Sequence, residues 1–319
     1  MKIVYNGEKD SRAFKDILGT QLQALTEEDP DVIYLDADLM SCIGTAKWAM
    51  HSDQGVNCGI AEANMAGVAA GLSASGFKPY IHSFGPFASR RCYDQVYLSA
   101  GYAGNPITVI GSDPGVCAAF NGGTHMPFED MALYRAMPGS TVLDIADCNQ
   151  LISVLKQVKD MDGVKYIRVG RKNCAKIYGD GEEVPIGKGV TLREGKDAVV
   201  FATGIMLHEA LQAAETLAKE GIEIAVVDMF TVKPLDAACV LEYARKTGAV
   251  VTAENHNKIG GLYSAVCEVL AANEPVAVEY VAVEDVFGEV GPQDYLQKQF
   301  GLTAEHIVEK VKAAVARKK

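Results

Sequence analysis

The sequence lacks any stretch that a bilayer would hold and any cysteine pattern that a metal or redox motif would need. Its longest apolar runs, such as residues 65–72, are broken by glycine. They fall far short of the roughly 20 residues that span a membrane. The opening residues, Met1-Lys2-Ile3-Val4-Tyr5-Asn6-Gly7, contain no apolar core of the length a signal peptide requires. The eight cysteines (Cys42, Cys58, Cys92, Cys117, Cys148, Cys174, Cys239 and Cys267) form no CxxC pair and no metal-ligand spacing. Most stand among apolar residues, where reduced, buried thiols are ordinary, so a reducing cytoplasm is the expected location. Positive charge is also scarce: 30 Lys and Arg against 41 Asp and Glu leave a net charge of −11. Such a chain repels nucleic acid and anionic membrane, and neither is an expected partner. An anionic substrate would have to be gripped by a few local arginines against the overall field. Internal repeats and low-complexity tracts are missing too.

What is present is the make-up of an ordinary globular protein, 49% apolar and 22% charged. The 319 residues exceed what one core usually accommodates, so two domains are expected. Residues 11–25 read as a helix with Ser11 as N-cap, and 31–35 as a buried strand. A small-residue helix follows over 61–75, able to pack closely on a neighbour. Strands are expected at 78–83, 106–111, 140–145 and 165–169, with helices at 88–100 and 149–159. This alternation implies a mostly parallel sheet whose ligands gather at the strand C-terminal ends. Residues 173–196, rich in glycine, read as a linker with a short hairpin. A second α/β unit then runs through strands at 198–202, 222–228, 249–253 and 276–283. Its helices are expected at 208–220, 236–246, from the Gly260-Gly261 turn to 272, and at 303–315. The fold class is therefore α/β in two domains, residues 1–172 and 197–319, the first sheet parallel and the second mixed.

The residues that could carry chemistry cluster in the first domain. Asn57-Cys58-Gly59-Ile60-Ala61-Glu62 places one carboxylate at the start of an apolar helix, where it could simply complement the helix dipole. Next comes Tyr80-Ile81-His82-Ser83-Phe84-Gly85-Pro86-Phe87-Ala88-Ser89-Arg90-Arg91, followed by Tyr93-Asp94-Gln95. Then come Phe120-Asn121-Gly122-Gly123-Thr124-His125 and Tyr166-Ile167-Arg168-Val169-Gly170-Arg171. With these segments the chain resembles the pyrimidine-binding domain of thiamine-diphosphate enzymes, specifically transketolases and their split bacterial relatives. Glu254-Asn255-His256 with Gly260-Gly261, and Phe287-Gly288-Glu289-Val290-Gly291-Pro292, are similar to the C-terminal domain of the same family. The resemblance covers nearly the whole chain in the right order.

The resemblance implies roles. Glu62 matches the acid that bonds N1′ of the cofactor's aminopyrimidine, since a shielded carboxylate can share a proton with a ring nitrogen. Phe84 matches the ring stacked on the pyrimidine and Phe87 a wall residue, although either could be core. His125 matches the histidine that contacts sugar hydroxyls. Arg171 matches a phosphate grip, for which a planar guanidinium is suited. Arg12 and Ser41 match two further phosphate contacts, and Arg168 supports the site; surface charge is the plainer reading of each arginine. Glu254 and His256 are not placed in the reaction. Gly179-Asp180-Gly181 looks like the start of the magnesium–diphosphate motif, but no asparagine follows at the expected distance, so a turn is the better reading. The diphosphate-binding domain, with most of the Mg2+ ligation, is therefore expected on an N-terminal partner subunit. This chain is expected to self-associate into a dimer and to bind thiamine diphosphate weakly when alone.

The implied activity is transfer of a two-carbon ketol unit from a ketose, expected as its phosphate, to an aldose. Alternatives are the beta subunit of a 2-oxo-acid dehydrogenase, a deoxyxylulose-phosphate-synthase-like enzyme, and a non-catalytic remnant. The first of these families lacks the Thr-His and Arg-Val-Gly-Arg segments. Two departures from the family pattern point to an unusual ketose. Ser112-Asp113 stands where many transketolases carry a histidine, and Asn121 stands where many carry an aspartate. The loop 114–121 is also more apolar, with Val116, Ala118, Ala119 and Phe120.

Overall fold

The computed structural model describes residues 1–318 and divides into two compact units. The first comprises Met1–Pro114 and Leu133–Ile186; the second comprises Gly115–Ala132 and the chain from Gly187 onward. Residues 115–132, expected in the first domain, thus fold with the second. Their anchors are there: Val116 N donates to Asn255 Oδ1 at 3.0 Å, and Asn257 N donates to the Phe128 carbonyl at 2.9 Å. The stretch expected as a linker is divided at Ile186 and Gly187, and each part belongs to a unit.

In the first unit the chain opens on β1 (Lys9–Ala13), which local patterning does not reveal. It pairs antiparallel with β8 (Asn173–Ala175), so the partner lies at the far end of the domain sequence. This pairing displaces the expected helix start: the helix runs Phe14–Glu28, its N-cap is Ala13, and Ser11 is a strand residue. The sheet itself contains β2 (Val32–Asp36), β3 (Gly55–Asn57), β4 (Lys78–Phe84), β5 (Ile107–Ser112), β6 (Thr141–Asp144) and β7 (Val164–Val169). These six run parallel in the order β6-β7-β5-β4-β2-β3. The near-continuous burial of β2, β4, β5, β6 and β7 is what a parallel sheet covered on both faces demands, while the edge strand β3 is largely exposed. The helix Glu62–Ala74 buries Met65, Ala66, Ala69 and Ala70 along one stripe. Its Gly67 and Gly71 face open space, so their smallness is not used for packing within this chain.

The helix expected over 88–100 is broken. A short turn, Gly85–Ala88, stops at Ser89, and a second segment resumes at Tyr93–Gln95 and widens into a π-type turn, Val96–Tyr102. Local bonds explain the stop: Ser89 Oγ donates to the Gly85 carbonyl at 2.7 Å, and Tyr134 OH donates to that of Ala88 at 2.7 Å. The helix Cys148–Val158 begins at Asp147, whose buried carboxylate accepts from the N–H groups of Gln150 (2.7 Å), Ile177 (2.8 Å) and Tyr178 (2.8 Å). That one side chain caps a helix and fastens the segment after β8. Asp147→Ala would leave three buried donors unpaired, each worth about 1–3 kcal/mol. A loss of at least ~3 kcal/mol is expected from the urea midpoint at unchanged m; a loss below ~1 kcal/mol would show the cap to be incidental. Gly179-Asp180-Gly181 is a turn: Gly179 N donates to the Lys2 carbonyl at 2.9 Å, and Tyr178 bridges Ile3.

In the second unit β9 (Val190–Arg193), β10 (Ala198–Ala202), β11 (Ile224–Asp228), β13 (Ala249–Asn257) and β14 (Ala277–Val283) form a sheet ordered β14-β13-β10-β11-β9; a short strand β12 (Thr231–Lys233) follows β11. Only β9 runs antiparallel, which makes the sheet mixed, as expected from the resemblance. The helices Met206–Lys219, Ala237–Thr247, Leu262–Asn273 and Ala304–Ala316 follow the expected periodicity. Thr303 caps the last one, its hydroxyl accepting from His306 N at 3.5 Å. The helix Gln293–Gln299 was not foreseen from the sequence. No described helix is long and apolar enough to cross a membrane.

Candidate active site

The C-terminal ends of β4, β5 and β7 carry a continuous set of side chains in the first unit. Glu62 is the first residue of its helix and is 1% exposed. Its Oε1 accepts from Ser83 Oγ on β4 at 3.0 Å, and Arg91 Nη1 lies 3.0 Å from both oxygens. The Arg91 guanidinium in turn lies 3.8 Å from the centre of the Phe87 ring. Phe87 and Phe84 tilt against each other with centroids 6.4 Å apart. Arg171 stands 5.0 Å over the Phe84 ring. The carboxylate is therefore not in a purely apolar cleft: a cation and a hydroxyl hold it. Local chain geometry puts it there. Gly59 N donates to Asn57 Oδ1 at 2.9 Å and Ala61 N to the Gly59 carbonyl at 2.7 Å, a tight turn that aims the helix start at the strand ends.

Arg171 follows β7 and Asp113 follows β5, and these strands are neighbours with Ser112 opposite Val169. Asp113 N donates to the Val169 carbonyl at 3.0 Å, with the Asp113 backbone at φ +57°. The Asp113 carboxylate, 4% exposed, lies 2.5 Å from Arg171 Nη2. Burial pushes the Asp113 carboxyl up, and Arg171, then His82 and Lys172, offset part of that rise. Burial works against the charge on Arg171, but Asp113 outweighs it and keeps the guanidinium firmly protonated, with Cys42 a further neighbour. Arg171 Nε is buried and without a hydrogen-bond partner. Ser41, adjacent to Cys42, is exposed on the turn Met40–Cys42.

Beneath this rim lies a polar network that sequence reasoning missed. His82 Nδ1 is 2.7 Å from Asp36 Oδ2, and Nε2 is 2.9 Å from Ser112 Oγ. Tyr34 OH donates to the same Asp36 oxygen at 2.5 Å, and Leu39 N donates to the other. Burial, then the Asp36 charge, push the Tyr34 phenol up and keep it a donor. Asp36, His82 and Ser112 have no exposed surface, and the network pins the ends of β2, β4 and β5. A strand signal could have found part of it, because Tyr34 and Asp36 share one face of β2. Arg91 was missed as well, although it follows the aromatic segment directly.

The remaining candidates are held by other contacts. Arg12 is held by Asp10 at 2.7 Å and donates to Asn149 Oδ1 at 3.0 Å. Its guanidinium is committed to a carboxylate that holds it firmly charged. It borders a groove of about 810 Å3 whose other cations are Lys2, Lys9 and Lys176, away from the Glu62 set. Arg168 is fully buried beside Asp144 at 3.1 Å. Asn121 and His125 are carried by the second unit. There Val116 is fastened to Asn255, and Gly115, at φ +50°, leaves no room for a Cβ beside the Asn255 side chain. Asn121 is exposed, and His125 Nδ1 lies 2.8 Å from Thr124 Oγ1. Glu254 accepts from Leu262 N (2.7 Å) and Tyr263 N (2.8 Å), and buried His256 lies 2.7 Å from the Asn257 carbonyl. Glu254 thus serves the helix start at Gly261.

The first unit fits a thiamine-type ring on its own geometry. The Glu62 carboxylate offers about four lone-pair sites, of which the Ser83 and Arg91 bonds occupy three. Two phenyl rings stand beside it. Comparisons with known proteins give the family. Residues 10–176 match the family model "Transketolase, pyrimidine binding domain", and residues 187–307 match "Transketolase, C-terminal domain". The chain is 48% identical over 293 residues to the 6-deoxy-6-sulfo-D-fructose transketolase subunit of Clostridium sp. strain MSTE9, covering 92% of this chain and 91% of that one. It is 32% identical to an apulose-4-phosphate transketolase subunit of Phocaeicola vulgatus, covering 90% and 92%. A solved structure described as a split gene transketolase, inactive beta4 tetramer, superimposes with a TM-score of 0.89 at 38% identity, covering 97% of this chain and all of that one. The chain belongs to the transketolase family, as a subunit of its split branch.

Proposed function

We propose that this chain supplies the pyrimidine side of a two-subunit ketol transferase whose donor is a ketose other than the common xylulose 5-phosphate. The carrying observation is the buried carboxylate of Glu62, held by Arg91 and Ser83 beside Phe84 and Phe87. The family's cofactor, thiamine diphosphate, provides when bound the thiazolium carbon that carries the two-carbon unit. Glu62 holds a proton at the aminopyrimidine N1′, and Ser83 and Arg91 fix its orientation. Phe84 and Phe87 give the ring an apolar wall and exclude water from it. Arg171, with Ser41 nearby, binds the terminal anion of the sugar, and His125 with Asn121 reads sugar hydroxyls. Arg12 takes part only if its pair with Asp10 opens. The diphosphate and Mg2+ are assigned to an N-terminal partner subunit and cytoplasmic sugar metabolism to the pair. The tetramer of the solved relative, described as inactive, supports the need for that partner.

The donor reading rests on Asp113 beside Arg171 and on Asn121, together with the sulfo-sugar and apulose phosphate named for two relatives. A site that loses or gains one hydrogen-bond partner can discriminate between sugars by orders of magnitude. The reconstituted complex, assayed with 6-deoxy-6-sulfo-D-fructose, apulose 4-phosphate, fructose 6-phosphate and xylulose 5-phosphate, is expected to give xylulose 5-phosphate a lower kcat/KM than at least one other donor. If xylulose 5-phosphate leads the panel, the departures at Asp113 and Asn121 are neutral and the donor reading is wrong.

A further inference from the structure

We propose that Asp113 sets the charge of the donor that Arg171 accepts, favouring a singly charged terminus such as a sulfonate over a doubly charged phosphate. The inference rests on the reading of Arg171 as the anion grip. Three observations carry it. The Asp113 carboxylate is nearly inaccessible and lies 2.5 Å from Arg171 Nη2, so the charge of the grip is already balanced before a ligand arrives. The Asp113 backbone is fixed, because its own N–H is bonded to the Val169 carbonyl and the preceding Ser112 side chain is bonded to His82. The guanidinium is likewise held over the Phe84 ring and beside Cys42, yet the Arg171 side chain keeps 27% of its surface exposed, so a ligand can reach it.

The electrostatics follow from counting. Arg171 and Asp113 together carry no net charge. A sulfonate adds one negative charge to that pair and meets one guanidinium. A phosphate dianion adds two, and the second faces the Asp113 carboxylate at short range in a low-dielectric site. Relief would require a proton on Asp113 or on the phosphate itself. A phosphate ester loses its second proton near pH 6, whereas a sulfonate keeps a single charge throughout the neutral range. Burial raises the proton affinity of Asp113, so a dianion binds at the cost of proton uptake. The other charged or titratable groups facing the pair are His82, Lys172 and Cys42.

The test uses the complex reconstituted with its partner subunit, well above pH 6, and a matched pair of donors: 6-deoxy-6-sulfo-D-fructose and fructose 6-phosphate. Asp113→Asn keeps the shape, and asparagine tolerates positive φ. It is expected to lower KM for the phosphate at least tenfold relative to the sulfonate. Asp113→Glu, which retains the charge, should keep the parent preference. Asp113→Gly, also suited to positive φ, serves if the asparagine variant does not fold. A phosphate-to-sulfonate ratio that stays within twofold in Asp113→Asn overturns the proposal while leaving the ketol-transfer reading intact. A parent complex that turns over none of the four donors of the panel removes that reading, and the proposal falls with it.

Discussion

Glu62→Gln in the reconstituted complex should lower ketol transfer by about 10²–10⁴, the usual cost of losing a positioned acid–base group, while the subunits still assemble. Glutamine keeps the size and one carbonyl oxygen, so the Ser83 bond at 3.0 Å can persist. What it cannot supply is an acid that shares a proton with a ring nitrogen. The substitution also strips Arg91 of its anion. Because the Arg91 side chain is 44% exposed, water can take over that role, and the stability loss should be well below the 3–5 kcal/mol of a fully buried pair. Turnover and subunit stoichiometry by light scattering, measured on one preparation, separate the two effects. Activity within a few-fold of the parent would reduce Glu62 to a residue that merely favours the start of its helix.

Arg171→Ala should raise KM for donors with a terminal anion by about 10- to 150-fold, which corresponds to the ~1.5–3 kcal/mol of a hydrogen bond to a charged group. Donors without the anion should be affected only slightly. The variant also leaves the Asp113 carboxylate buried without its cation, and that group is expected to take up a proton. The double variant Arg171→Ala with Asp113→Asn therefore should not add its single effects, and the cycle measures the coupling of the pair. Equal losses for anionic and neutral donors would place Arg171 outside the anion site.

The fold was legible where local patterning and burial coincide. Val32–Asp36 and Ala198–Ala202 are apolar runs bounded by turn residues, and each is a buried parallel strand. Elements whose reason lies far along the chain were not legible. Lys9–Ala13 is a strand only because Asn173–Ala175 returns to pair with it. The break at Ser89 needs the hydroxyl of Tyr134, and the placement of residues 115–132 needs Asn255.

The candidate site divides in the same way. Glu62, Phe84, Phe87 and Arg171 could be named from sequence because each sits in a short segment whose order resembles a known family. Arg91 on the carboxylate, Asp113 on Arg171, and the Asp36–His82–Ser112 network could not. Arg12 was matched to a further phosphate contact, and the structure pairs it with Asp10 as it pairs Arg171 with Asp113. By itself the sequence determined the α/β class, the family and the groups available for chemistry, because hydrophobic period and residue type are local properties. Only the tertiary structure decided which charges meet. A partner for a buried charge is chosen by which strand ends lie side by side, and that order is set by the packing of the whole sheet.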